Sequence, residues 1–181
     1  IQRALEDGNV KAYRTNTGNA LIYGMEGIAD INLRDIFSNS SQYNFNLFTN
    51  VSIINSEYVS SSETGVVGKS VEFVPNLNLK SGIKFGYKNI TSYLQYSHIS
   101  DQFSDSTNAI ESNLSGLIGL IPAYDILDVS LAYTFKKIKI ECGVNNLLDN
   151  AYFTRRATGY PGPGIIPSPP KNYYITFQFK N

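Results

Sequence analysis

The feature that most constrains this chain is a strict alternation of apolar and polar side chains that continues over unusually long stretches. Between residues 71 and 87, one set of alternate positions is mainly apolar or aromatic, and the other set is mainly small or polar. The first set consists of Val71, Phe73, Pro75, Leu77, Leu79, Ser81, Ile83, Phe85 and Tyr87. Because successive side chains of a β-strand point to opposite faces, this pattern predicts a strand with one apolar face and one polar face.

The same alternation recurs along the chain and predicts seven long strands. They span residues 19–34, 41–56, 71–87, 90–103, 122–135, 137–147 and 171–180. A short hairpin is predicted before them, at 1–5 and 10–14, because Asp7-Gly8 is a turn signal. The long strands exceed the ~5–6 residues usual in globular sheets. They match or exceed the ~9–11 residues that a tilted strand needs to cross a bilayer.

The predicted connections alternate between short and long. Tight links lie at Lys88-Asn89 and at Lys136, with a modest link at 35–40, whereas the long links are 57–70, 104–121 and 148–170. Short periplasmic turns and long extracellular loops are typical of outer-membrane barrels. We therefore predict an all-β fold, a transmembrane antiparallel β-barrel with its long loops outside the cell. A soluble β-sandwich shares the alternation, but its strands are shorter and its exposed face usually carries more Lys and Glu.

Composition excludes several other classes of protein. The 15 Lys and Arg residues balance the 15 Asp and Glu residues, so no basic excess favours nucleic acid as a partner. The 42% hydrophobic content argues against disorder. One cysteine, Cys142, cannot build a disulfide framework or a cysteine zinc site. No apolar run approaches the ~18 residues of a transmembrane helix, and no signal-peptide pattern stands at the start.

The residues that could carry chemistry do not form a catalytic pattern. His98 is the single histidine, and the nucleophile motif G-x-S-x-G is absent from the sequence. Asp101, Asp105 and Glu111 lie in or near one predicted loop, but their spacing matches no calcium-binding EF-hand. We therefore expect a protein that is not an enzyme and that has neither a metal site nor a cofactor.

A more specific motif lies near the C-terminus. Residues 143–152 read G-V-N-N-L-L-D-N-A-Y, and the motif is carried by Gly143, Asn145, Asn146, Leu147, Asp149 and Tyr152. A loop that begins R-R-A-T-G-Y-P-G-P-G and a last aromatic strand follow. This segment resembles the end of a TonB-dependent outer-membrane receptor, and the loop resembles the ferric dicitrate and siderophore branch. Tyr23-Gly24-Met25-Glu26 also resembles a barrel strand of that family.

The resemblance implies a fold, a location and partners. Receptors of this family have a 22-stranded barrel in the outer membrane of Gram-negative bacteria, plugged by an N-terminal domain on which TonB pulls. Residues 1–181 would then be the C-terminal part of the barrel, about its last seven strands, with the plug domain outside this chain. The implied ligand is a ferric chelate such as ferric citrate or a siderophore, and the surroundings are lipid bilayer and lipopolysaccharide. The motif residues would be structural.

Arg155 and Arg156 are the candidate ligand contacts. Two guanidinium groups on a Pro- and Gly-rich loop suit a carboxylate-rich ligand. Alternatively, they form a solvated pair, bind lipopolysaccharide phosphates or contact an Asp of another loop. Because adjacent residues of an extended segment point in opposite directions, we expect one of the two to face the lumen. For the whole protein, a surface docking or adhesion module and a small complete eight-stranded barrel remain alternatives.

Overall fold

The computed structural model describes residues 2–6, 9–13, 18–34, 42–114, 116–156 and 164–180. These residues form thirteen strands, β1 to β13 in chain order: Gln2–Glu6, Asn9–Tyr13, Gly18–Asn32, Tyr43–Ser61, Leu77–Tyr87, Ile90–Ile99, Gln102–Phe103, Leu120–Ile121, Tyr124–Phe135, Ile138–Asn145, Phe153–Arg156, Ile165–Pro167 and Asn172–Phe179. In these ranges no helix is long and apolar enough to span a membrane.

The seven long strands form a single antiparallel sheet. Its order is β3-β4-β5-β6-β9-β10-β13, so that each long strand pairs with the next one along the chain. The predicted all-β antiparallel architecture is therefore confirmed. The hairpins β1–β2, β7–β8 and β11–β12 form separate two-stranded sheets. Because β3 and β13 lie at opposite edges and the β1–β2 hairpin does not join the sheet, the alternative of a complete eight-stranded barrel is wrong for the described strands.

The register separates the sheet into the two predicted faces. Ile140 pairs with Tyr133 and Phe177, whereas its neighbour Glu141 pairs with Ala132 and Thr176. The polar face contains a hollow of about 650 Å³ whose polar lining is Glu26, Asn50, Ser52, Asn78 and Lys80. In a barrel wall the concave face lines the lumen, and the apolar face meets lipid.

Two predicted strands are shorter than their alternation indicates. The strand predicted at 71–87 begins only at Leu77, because Phe73 has a left-handed backbone (φ 59°) and Pro75 has no amide hydrogen. The strand predicted at 90–103 is interrupted after Ile99, where the amide of Ser100 donates to the carbonyl of Leu77 at the start of β5.

Another predicted strand is longer than expected. β4 was predicted to end at residue 56 but continues to Ser61. Tyr58 lies past Ile53, the residue of β4 that pairs with the first residue of β5. Its amide donates to the carbonyl of Lys69 and its carbonyl accepts the amide of Gly68, so the following loop pairs with β4 in place of a neighbouring strand. The predicted link at 35–40 and the turn Asp7-Gly8 lie outside the described residues.

Candidate functional site

Three long connections leave the same end of the sheet. They are residues 62–76 between β4 and β5, residues 100–123 between β6 and β9, and residues 146–171 between β10 and β13. We refer to them as loops A, B and C. The opposite end has the two-residue turns 88–89 and 136–137. The predicted alternation of short and long connections is therefore confirmed, and the loops form the candidate site.

Loop A is fixed to loop B by a reciprocal pair of hydrogen bonds. The side-chain amide of Asn108 donates to the Ser70 carbonyl at 2.9 Å, and the Ser70 amide donates to Asn108 Oδ1 at 2.7 Å. Nearby, the amide of Phe73 donates to the carbonyl of Phe103 at 2.9 Å. The side chain of Asn108 therefore pairs with loop A as the backbone of a strand would, and the two loops behave as one surface.

Loop A also packs back on the upper part of β4. The hydroxyl of Tyr58 donates to Glu72 Oε2 at 2.5 Å, and the amide of Val71 donates to the buried Ser56 hydroxyl at 3.2 Å. Burial, together with the hydrogen bond to the Glu72 carboxylate, raises the pKa of Tyr58 to about 12. Tyr58 therefore keeps its proton and remains a donor at physiological pH.

Arg156 joins loop C to loop B. Its Nη1 donates to the Gly116 carbonyl at 2.9 Å, and its Nη2 donates to the Leu120 carbonyl at 3.0 Å. The guanidinium carbon lies 5.3 Å from the centroid of the Phe153 ring. A planar fork with several donors is suited to holding two carbonyl groups at once. Arg156 is therefore half-buried between the loops, whereas Arg155 is exposed.

The turn after β10 contains the C-terminal motif and is centred on Asn146. This residue is 2% exposed and has a left-handed backbone (φ 51°). Its amide donates to Asp128 Oδ1 on β9 at 2.9 Å. Its side chain bonds both the carbonyl and the amide of Asn150, at 2.9 and 3.1 Å. Asparagine tolerates this conformation and supplies both polar atoms, which explains its presence here.

The other motif residues connect the same turn to its neighbours. Asn145 donates to Asn172 Oδ1 at 2.8 Å, and Asp149 Oδ1 accepts the Lys171 amide at 2.9 Å, so both contact the start of β13. The amide of Leu147 donates to the Leu127 carbonyl, and Tyr152 stacks on Tyr124 with centroids 4.6 Å apart. The structure thus brings these residues together where β9, β10 and β13 meet, directly below the segment that carries Arg155 and Arg156.

An aromatic pair lies on the polar face of the sheet, away from the loops. Phe48 and Tyr93 stack with centroids 5.3 Å apart and ring planes 10° apart. The Phe48 ring occupies the space beside Gly82, where a Cβ would lie 2.4 Å from a ring carbon. Lys80 and Lys84 flank Gly82 on the same face.

One further polar cluster contains the single histidine of the sequence. His98 Nδ1 lies 2.7 Å from Asp125 Oδ1, which also accepts the Tyr96 hydroxyl, and the register places all three on the apolar face. Across the described ranges, no three His, Cys, Asp or Glu side chains converge as metal ligands would. Sequence reasoning missed Asn108, Asp128 and Asn150 because their partners are 18 to 38 residues distant or lie in a turn without periodicity.

The antiparallel sheet and the motif at residues 143–152 define a class of protein. The profile of the family described as TonB dependent receptor-like, beta-barrel matches residues 2–147, and the chain belongs to that family. It is accordingly part of a transmembrane antiparallel β-barrel.

Several solved receptors have the same fold. The structure is similar to the ferric citrate transporter FecA in its unliganded form, with a TM-score of 0.78, 23% identity and coverage of 88% of this chain and 24% of FecA. It is also similar to the ferric yersiniabactin uptake receptor FyuA from Yersinia pestis, with a TM-score of 0.69, 20% identity and coverage of 91% and 24%.

A third similar structure is the ferric-catecholate import receptor Fiu from E. coli K12, with a TM-score of 0.66, 15% identity and coverage of 95% of this chain and 22% of Fiu. The chain therefore spans about a quarter of the length of these receptors. No curated protein sequence matches it.

Proposed function

We propose that this chain belongs to an outer-membrane receptor that takes up a ferric chelate, such as ferric citrate or a siderophore, at the expense of energy delivered through TonB. The observation that carries the proposal is the set of three joined loops at the end of a polar wall that contains a hollow, with Arg155 exposed on strand β11 of loop C. Such a surface presents a cation and many polar groups to a ligand. The receptor would bind and pass its ligand without making or breaking a bond in it.

The edges of the sheet support the proposal of a larger barrel. Among the described strands, none pairs with the outer edge of β3 or of β13. In lipid each backbone amide and carbonyl needs a partner, so both edges would pair with further strands. We propose that residues 1–181 are about the last seven strands of a 22-stranded barrel. The plug domain and its contact with TonB would lie elsewhere in the receptor.

The orientation follows from the connections. Short turns face the periplasm in barrels of this kind, so loops A, B and C would face outward among lipopolysaccharide. The apolar face, with Leu131, Tyr133, Ile140, Ile175 and Phe177, would contact the bilayer.

The two arginines would have different roles. Arg156 donates to the carbonyls of Gly116 and Leu120 and would hold strand β11 of loop C in place. Arg155 is exposed, and its permanent positive charge would attract an anionic chelate. The described loops carry more acidic than basic residues, so we expect Arg155 to matter locally, by direct contact, rather than through a general positive field.

Binding by the full-length receptor tests the role of Arg155. We expect Arg155→Gln to weaken the binding of ferric citrate by about tenfold, the loss of ~1.4 kcal/mol, and to make the remaining affinity less dependent on salt. Lys69→Gln removes one positive charge from loop A and is the matched control. Equal effects of the two substitutions would contradict direct contact by Arg155.

Accumulation of iron tests the transport function separately. Cells with the full receptor should accumulate radioactive iron from an added chelate only while the proton gradient is intact. A set of ferric citrate, a ferric trihydroxamate and a ferric catecholate covers the main ligand chemistries. Binding without energy-dependent accumulation would instead favour the docking module.

A further inference from the structure

Two short turns at the end opposite the loops repeat one arrangement. In Tyr87-Lys88-Asn89-Ile90 and Phe135-Lys136-Lys137-Ile138, a lysine with a left-handed backbone directly follows the last aromatic residue of a strand. Lys88 Nζ lies 5.0 Å from the centroid of the Tyr87 ring, and Lys136 Nζ lies 5.4 Å from that of Phe135. Attraction between an ammonium group and a ring face holds both cations at the aromatic border of the apolar face.

These turns are neighbours on the rim. β6 pairs with β9, and the amide of Thr134 donates to the carbonyl of Asn89 at 2.9 Å. Since the two turns are separated by two strand spacings of ~4.8 Å, they lie roughly 10 Å apart. Lys180 follows on the next strand, where its amide donates to the Lys137 carbonyl at 2.8 Å. The rim therefore carries a row of closely spaced cations.

The chain has no net charge, but its charged residues are distributed unevenly between the short-turn end and the loop end of the sheet. No Asp or Glu occurs in the described part of the short-turn end, which consists of residues 33–34, 42–45, 86–91, 134–139 and 178–180. Asp35 lies outside the described residues. The cations of this end are Arg34, Lys88, Lys136, Lys137, Lys139 and Lys180. At the loop end, acidic residues outnumber Lys69, Arg155, Arg156 and Lys171.

We infer that Lys88 and Lys136 form a binding site for the head group of an acidic phospholipid in the membrane leaflet on the short-turn side. Both ammonium groups lie over rings that continue the lipid-facing surface, at the depth where head groups begin. Each presents three donors, which suit the oxygens of a phosphodiester. Because the described rim has no carboxylates, an acidic lipid would supply the negative charge that balances these two lysines.

A second group of lysines on the same rim faces the other way. The register places Lys139 on the polar face with Thr134 and Gln178, and these residues line a hollow of about 270 Å³ together with Lys136, Lys137 and Lys180. Lys139 also bonds Glu141 at 2.6 Å. Lys139 and Lys180 lie on the lumen side of the rim, whereas Lys88 and Lys136 each have the ammonium group over a ring of the apolar face, which provides an internal comparison.

The experiment measures lipid selectivity of the full-length receptor in phosphatidylcholine bilayers. Spin-labelled phosphatidylglycerol and phosphatidylcholine report the fraction of each lipid immobilised at the protein surface. We expect a preference for phosphatidylglycerol that Lys88→Gln/Lys136→Gln reduces by up to ~5-fold for each lysine removed, to a ratio near one. High salt should reduce the preference of the unmodified receptor in the same way.

Two matched pairs locate the site. Lys69→Gln/Lys171→Gln removes the same charge at the loop end, and Lys139→Gln/Lys180→Gln removes it on the lumen side of the rim. Both should retain the preference. An unchanged ratio in Lys88→Gln/Lys136→Gln, or an equal loss in either control, would overturn the inference. Heat-dependent migration on gels verifies folding, and the measurement involves no ferric ligand, so its outcome is independent of the proposed transport function.

Discussion

The ring of Tyr174 on β13 lies directly over Gly143 on β10. A Cβ at position 143 would lie 2.5 Å from two carbons of that ring and 2.6 Å from its hydroxyl oxygen. The hydroxyl donates to Glu141 Oε1 at 3.2 Å, and Lys139 holds the other carboxylate oxygen. Glycine at position 143 therefore allows the last strand to place a ring flat against its neighbour.

Enlarging this glycine should displace the ring. We expect Gly143→Val to lower the stability of the receptor by about 1–3 kcal/mol, the usual cost of overpacking a filled site. Gly86→Ala is the control, because a Cβ there has only ordinary contacts, the nearest at 3.4 Å. The temperature at which the folded band is lost on gels should fall for Gly143→Val and remain nearly constant for Gly86→Ala. A similar fall in both would contradict the packing argument.

Two substitutions of Asn146 separate the contribution of its backbone conformation to stability from that of its side-chain hydrogen bonds. Asn146→Ala removes two side-chain hydrogen bonds and also places alanine in a left-handed conformation, at an expected cost of about 2–4 kcal/mol. Asn146→Gly loses the same bonds but accepts the backbone angle, so its cost should be about 1–2 kcal/mol smaller. Urea unfolding of the two variants measures the difference. If glycine is no better than alanine, the φ of 51° is not a source of strain.

Arg156 should control the order of a loop that is distant in sequence. Arg156→Gln cannot reach both carbonyls, so we expect amide exchange around residues 116–121 to increase by about tenfold, corresponding to ~1.4 kcal/mol. Hydrogen exchange with mass spectrometry measures this in the full receptor. Arg155→Gln is the control, because it removes the same charge from the adjacent exposed position. Faster exchange restricted to loop C would show that Arg156 does not hold loop B.

The contact between loops A and B predicts a parallel result. Asn108→Ala removes both hydrogen bonds to Ser70 and should speed amide exchange at residues 69–73 by about five- to thirtyfold, for a loss of ~1–2 kcal/mol. Ser106→Ala changes a neighbouring polar residue of the same loop and should leave that exchange unaltered. Equal exchange in the two variants would show that the backbone bond between Phe73 and Phe103 is sufficient.

The strands could be predicted from the sequence because lipid and lumen impose opposite polarities on alternate residues. Leu127, Val129 and Leu131 thus indicated their face without any structural information. The alternation predicted the start of β5 wrongly, because Phe73 and Pro75 continue the apolar pattern although they belong to loop A. Periodicity reports which side a residue faces but does not reveal a left-handed backbone.

The candidate site was only partly accessible to the same reasoning. Adjacency in an extended segment predicts different surroundings for Arg155 and Arg156, and Arg155 is exposed whereas Arg156 is half-buried. The partners of Arg156 lie 36 and 40 residues earlier in the chain, and both are backbone carbonyls. Any residue can supply a carbonyl, so no sequence signal identifies such partners.

The length of β4 has a consequence for how a ligand approaches. The strand has 19 residues, compared with the ~9–11 that a tilted strand needs to cross a bilayer. At ~3.3 Å for each residue and a tilt of about 45°, the excess extends the wall by roughly 20 Å beyond the hydrocarbon. In the proposed receptor this side would form a deep vestibule, and a chelate would diffuse down it before reaching the hollow at Asn50 and Lys80. The height of the wall, as well as the chemistry of the loops, would then limit the size of molecules that enter.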